Sequence, residues 1–200
     1  MIKKLFIAAM GGVIAACSGE APAAEQESAA PPSKAGEAWA IDYGASSVTF
    51  RGIQEGSEFE GRFNRFDIAV VLDPEDLSGA SITATIDMSS VDAGNDDRNQ
   101  SLPTKDWFKT KEFPSAIFTS SEVSNIEGDN YEAAGTLTIK GISQPMTLPF
   151  TLDVEGNVAN AVGSARLNRT DFNVGEGAFA EDKWVGYFVD VTVTVAATSQ

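Results

Sequence analysis

The chain has 200 residues, no histidine and a single cysteine, Cys17. Without histidine it lacks the commonest general base, the Ser-His and Cys-His nucleophile pairs, and the usual protein ligands of zinc and haem. With one cysteine no internal disulfide can form, so stability must come from the core. Basic residues are scarce too: 14 Lys and Arg face 29 Asp and Glu, a net charge of −15. The positive charge that would neutralise nucleic-acid phosphates or an anionic lipid surface is therefore missing. The acidic excess serves solubility. Asp92, Asp96 and Asp97 lack the regular spacing and closing glutamate of a calcium loop, and Gly175-Glu176-Gly177 is too short to cradle a phosphate. Catalysis would have to rest on paired carboxylates, lysine or an oxygen-ligated metal, and the chain reads as a non-enzyme.

What is present begins with a leader. Lys3 and Lys4 precede an apolar run over 5–16 that ends in small residues, the three-part form of a secretory signal. The run is too short to span a bilayer. It closes as Ile14-Ala15-Ala16-Cys17-Ser18, which resembles the lipobox of bacterial lipoproteins, where the cysteine is acylated and becomes the first mature residue. Residues 1–16 are thus expected to be a signal peptide and 17–38 a lipidated cysteine with its linker. That linker, rich in Ala, Pro, Glu and Ser, cannot bury enough surface to fold. About twenty flexible residues reach roughly 25 Å, enough to hold a domain just off a membrane.

From residue 39 to 200 the sequence reads as one domain. Period-two alternation predicts eight strands, over 47–51, 59–72, 80–88, 116–123, 131–140, 146–154, 160–168 and 185–195. In the second, Phe59 and Phe63 lie on odd positions whereas Phe66, Ile68, Val70 and Leu72 lie on even ones, a parity switch that implies a bulge or sharp coil near Asn64. Pro149 implies an edge or bulge in the sixth. Amphipathic strands with short turns and almost no helix predict an all-β fold, an eight-stranded antiparallel barrel. At that strand number the interior holds one small ligand or fills with its own side chains. After the third strand, residues 89–119 break the alternation with a polar run (Asn95 to Gln100) followed by an aromatic one (Trp107, Phe108, Phe113). A long insertion of this kind is usually a functional lid or binding loop.

Six segments in order give the domain a resemblance. They are Ser47-Val48-Thr49-Phe50; Phe59-Glu60-Gly61-Arg62-Phe63 with Phe66; Arg98 to Leu102 followed by Asp106-Trp107-Phe108; Phe113 to Phe118; Gly135 to Gly141; and Arg169-Thr170-Asp171-Phe172. Over about 39–197 the chain resembles the YceI family of lipocalin-like bacterial envelope proteins associated with polyisoprenoid binding. The resemblance implies a lipocalin-like barrel with a long apolar cavity, no catalytic residues, and a role in holding an isoprenoid or similar amphiphile. Two departures stand out: Phe50-Arg51-Gly52-Ile53 where many relatives have a histidine, and Asn173 where a glycine is usual.

The resulting expectation is a periplasmic binding protein, anchored through Cys17 with the outer membrane favoured, whose barrel holds an isoprenoid quinone, polyprenyl lipid or other long-chain amphiphile. No other cofactor, metal or nucleic acid is called for, and a homodimer is left open. Trp107, Phe108 and Phe113 are expected at the mouth, Phe50, Phe63, Ile82, Phe118 and Phe150 along the wall, and Arg98 or Arg169 near a polar head group. The alternative is a structural or interaction module with a filled barrel.

Overall fold

The computed structural model describes residues 38–199. The leader, Cys17 and the linker up to residue 37 lie outside the described residues. Eleven strands run Trp39–Ile41 (β1), Ser47–Gln54 (β2), Ser57–Phe63 (β3), Phe66–Asp73 (β4), Asp76–Asp87 (β5), Val91–Asp92 (β6), Ser115–Glu127 (β7), Asn130–Ile139 (β8), Ile142–Glu155 (β9), Val158–Asn168 (β10) and Phe188–Ser199 (β11). They form one antiparallel sheet in the order β4-β5-β7-β8-β9-β10-β11-β2-β3-β6. β1 stands off this path: it pairs with β11, and Ala38 just before it bridges Val71 of β4. The indole N–H of Trp39 donates to the Leu72 carbonyl at 2.8 Å. β1 thus ties the β4 edge of the curled sheet back to β11, which covers part of an edge that an open sheet would expose.

Eleven strands replace the eight expected, for two physical reasons. β1 and β6 are three and two residues long, too short to leave an alternation in the sequence. The strand expected over 59–72 is two strands, β3 and β4, separated at Asn64 and Arg65. Both backbone N–H groups there leave the ladder, Asn64 donating to the Ser90 carbonyl (3.1 Å) and Arg65 to the Ser90 hydroxyl (3.0 Å). The parity switch read from the sequence is this break.

β9 pairs with β8 from Ile142 to Thr151 but with β10 only from Glu155 to Phe150. Residues 142–149 face no ladder on the β10 side. Pro145 and Pro149, which offer no N–H, fall in that half-strand, as expected of a local edge.

The interior is organised in two clusters. Trp39, Leu72, Phe118, Val123, Tyr131 and Leu152 form a floor; Phe50, Val91, Leu102, Trp107, Phe172 and Val174 form a roof. Between them, Leu137 is the one side chain packed against both among the described residues.

The polar half of the insertion is a short helix, Asp96–Ser101 (α1). Asn95 caps it, its side-chain oxygen accepting from the N–H of Asp97 and Arg98, and Asp96 and Asp97 sit in the first turn where the helix dipole favours negative charge. Asn99 accepts from Ala93 N–H at 2.7 Å and donates to Asp92. The acidic and amide run that breaks the alternation is therefore spent on its own backbone.

Three carboxyl groups are held below the ordinary aspartate range: Asp87 chiefly by the Ser89 hydroxyl, Asp92 by the Gly94 N–H and Asp190 by Arg166. A depressed folded-state value contributes stability above the unfolded value, near pH 4, that is lost as pH falls through the folded one. With no histidine in the chain, the melting temperature is expected to stay level between about pH 5.5 and 8 and to fall only below about pH 4. Thermal melts followed by circular dichroism across that range check this; a step near pH 6.5 would contradict it.

Candidate functional site

The barrel encloses a cavity of about 260 Å³. Strand alternation supplies its wall: Val48 and Phe50 from β2, Ile68 and Val70 from β4, Met146 and Leu148 from β9, and Val189, Val191, Val193 and Val195 from β11 all face inward. Among the described residues, Arg169 is the only one lining it that is not apolar. Among the described residues no large side chain is completely buried, the reverse of a close-packed core. The interior is hollow, not filled by its own side chains.

One wall is aromatic, and glycine makes it possible. Phe50 lies opposite Gly61 and Phe59 opposite Gly52 across the β2–β3 ladder. A Cβ added to Gly61 would stand 2.3 Å from the Phe50 ring, and one added to Gly52 would stand 2.9 Å from the Phe59 ring. The rings can lie flat along the strands only because these glycines leave room. Phe50 then meets Phe63 at 5.4 Å, and Phe63 meets Phe108 at 6.2 Å.

The roof is held by Arg169, which is 4% exposed. Its Nε donates to the Gly186 carbonyl, Nη1 to Val174 and Gly175, and Nη2 to Phe179, Glu181 and Val185, at 2.7 to 3.2 Å. One guanidinium gathers the whole loop 174–186, and all five of its N–H groups are in use. Burial pushes its pKa down, yet an arginine stays charged. The loop is fastened to the insertion where the N–H groups of Gly175 and Glu176 both donate to the Asp106 carbonyl (2.8 and 2.7 Å). It is fastened to the β8–β9 turn by Lys140, whose buried ammonium reaches the Asn173 carbonyl (2.6 Å) and the Glu176 carboxylate (2.5 Å). Asn173 has φ of 52°, the left-handed region that suits glycine and that asparagine tolerates, which accounts for the substitution there.

Of the wall and mouth residues expected from the sequence, Phe50, Phe63, Ile82, Phe118, Phe150, Trp107 and Phe108 line the cavity, as does Arg169. Two do not. Phe113 packs over the β8–β9 turn, where a Cβ on Gly141 would stand 2.7 Å from its ring, with Lys109 at 5.9 Å; it braces the roof from outside. Arg98 stacks on Phe59 at 4.6 Å and donates to the Ala93 carbonyl and the Gln54 side chain, so it ties α1 to the β2–β3 hairpin. Trp107 is not at an open mouth but buried at 8% exposure, beside Phe179 at 5.1 Å. Phe179 carried no sequence signal, and Lys140 stood in one of the resembling segments without a role, because their partners come from other segments of the chain.

Residues 39–197 match the YceI-like domain family. The chain belongs to the YceI family. Among curated relatives of this YceI chain, the UPF0312 protein of Pseudomonas paraeruginosa is 33% identical over 153 residues, 70% of this chain and 80% of the relative. The UPF0312 protein of Photorhabdus laumondii is 33% identical over 119 residues, 56% of this chain and 62% of the relative, so the match spans less than two thirds of that protein. Among solved structures, BcnA of Burkholderia cenocepacia is 33% identical with a TM-score of 0.77, covering 80% of this chain and all of that one. A polyisoprenoid binding domain from Saccharophagus degradans, implicated in plant cell wall breakdown, shares the fold at 15% identity with a TM-score of 0.66 over 82% of this chain and 99% of that one.

Proposed function

We propose that the protein is a non-enzymatic envelope carrier that holds an isoprenoid quinone, polyprenyl lipid or similar long-chain amphiphile inside its barrel, tethered to the periplasmic face of a membrane through acylated Cys17. The observation that carries the carrier reading is the hollow interior, lined by apolar side chains with a single exception. Each methylene moved from water into such a lining contributes about 0.8 kcal/mol, so a tail of some ten carbons outweighs the ordering cost of binding. The YceI membership and the polyisoprenoid binding named for the Saccharophagus neighbour support a lipid as the ligand class. Cys17 directly after a small-residue run supports the anchor, and two or three acyl chains would hold it where one would not.

Native mass spectrometry of protein extracted gently from its own membranes tests both parts at once. The expected spectrum shows a chain beginning at acylated Cys17 and a second population heavier by one lipid. Recovery of empty protein alone, even after incubation with quinones, polyprenols and fatty acids, would defeat the carrier reading; an unacylated mass would defeat the anchor.

A further inference from the structure

The barrel wall contains a seam that no ladder closes. Pairing between β9 and β10 ends at Phe150 and Gly163, while β9 stays joined to β8 up to Ile142 and β10 to β11 up to Asn168. Each bank is held by its other neighbour, and the two part only from one another. The sequence keeps them apart. The Leu152 N–H donates to the Asp129 carbonyl, on the β8 side (2.9 Å), and N–H groups alternate sides along an antiparallel strand. Even-numbered N–H groups of β9 therefore turn to β8 and odd-numbered ones to β10. Pro145 and Pro149 are both odd, so two of the donors that could join this half of β9 to β10 are missing.

What shuts the seam is mostly apolar. Met146 and Leu148 on one bank and Ala165 and Leu167 on the other all line the cavity. A Cβ on Gly163 would stand 3.3 Å from the Leu148 side chain, which lies in the angle where the banks meet. At the far end an exposed hydrogen bond, from Gln144 Nε2 to the Asp171 carbonyl (3.2 Å), crosses from β9 to the turn after β10. On the outer surface Val162 and Phe188 are exposed beside the two ends of the seam, Phe188 directly opposite Asn168. The ends of the barrel are harder to open: Arg169 holds six carbonyls in the roof, and the floor is packed around Trp39.

Building on the lipid-carrier reading, we propose that the seam between residues 145–149 and 164–168 is the door of the barrel, through which the tail passes sideways between the strands. Opening it parts apolar side chains and a side-chain hydrogen bond but breaks no ladder. A tail sliding in replaces the contacts that the banks give up, so the apolar interior need not meet water on the way.

The test locks the seam reversibly. Continuing the register from Phe150 and Gly163 sets Thr147 opposite Arg166, and both are exposed. The full chain carrying Thr147→Cys and Arg166→Cys is bridged with a bis-methanethiosulfonate reagent, which a reductant removes. Wild type treated alike controls for Cys17, and Asp153→Cys with Asn160→Cys, a pair already laddered, controls for stiffening. Two probes are used: decylubiquinone, read by quenching of tryptophan fluorescence, and cis-parinaric acid, read by its own fluorescence. Their uptake and release are expected to slow about tenfold or more when the seam is bridged, and to recover on reduction. Kd should stay the same, because a barrier acts on both directions alike. Gln144→Ala is expected to speed both rates about fivefold. Unchanged rates in the bridged seam overturn the door while the carrier reading stands. Equal slowing by the bridge between 153 and 160 overturns it too, since the effect would then be one of general stiffness. If the seam cysteines spoil folding, unchanged rates in Gln144→Ala decide against the door. Failure of both probes to bind the wild type removes the carrier reading and this inference with it.

Discussion

Replacing Arg169 by methionine is expected to lower the stability of the domain by about 3–5 kcal/mol, read as an earlier midpoint in urea unfolding. Methionine keeps much of the apolar bulk, so the loss isolates the polar work of the guanidinium. That work joins six carbonyls contributed by Val174, Gly175, Phe179, Glu181, Val185 and Gly186. Without the arginine all six carbonyls lose a donor, and those of Val174 and Gly175 are buried away from water, at a cost of about 1–3 kcal/mol each unless the loop rearranges to reach solvent. Rearrangement is costly as well, because Gly175 sits at φ of 82° against the guanidinium and the Trp107 ring. Arg169→Lys is expected to recover only part of the loss, since an ammonium is a point donor and cannot span the fork. Unchanged unfolding of Arg169→Met would mean that the loop is held by Lys140 and the Asp106 carbonyl instead.

The second large effect is on binding. Ala165 lines the cavity and packs against neither the floor nor the roof cluster. Ala165→Phe puts a ring into open space near mid-height, and decylubiquinone is expected to bind about a hundredfold or more weaker as its path along the barrel is blocked. Stability should hold or rise by up to about 1 kcal/mol, because filling a void adds contacts without displacing any. Calorimetric titration beside a thermal melt separates the outcomes. Undiminished binding by a folded variant would place the ligand outside the barrel.

Much of the fold could be read from alternation, because one face of each long strand is apolar and the sequence records faces directly. The shift from Phe63 to Phe66 even located the break between β3 and β4. β1 and β6 were silent because two or three residues show no period. The site was legible in its walls but not in its fastenings. Phe50, Phe118 and Phe150 announce an apolar lining as soon as they are placed on strands. Arg169 is different: its partners are main-chain carbonyls, which every residue possesses and no sequence marks. Sequence could therefore suggest a head-group role for it but could not reveal that its donors are already committed. Phe113 and Arg98 illustrate the converse. Both lie in the segment that covers the barrel, yet each faces a neighbouring turn or hairpin, and only the relative placement of α1, the β8–β9 turn and the β2–β3 hairpin decides which way they look.

The division of the interior into a floor and a roof that, among the described residues, share Leu137 alone has a further consequence. In most domains the core is complete once the chain has folded, and a bound molecule adds to it from the side. Here a tail threaded through the hollow would touch both clusters and turn two separate patches into one continuous apolar mass. Cargo and cooperativity then become the same quantity: loaded protein should unfold as one unit, and its melting temperature should climb with ligand concentration in the way mass action dictates. Release would run in the opposite direction, leaving a molecule whose two ends are joined mainly by the strands themselves. A membrane ready to accept the lipid would then be taking away part of the carrier's own core.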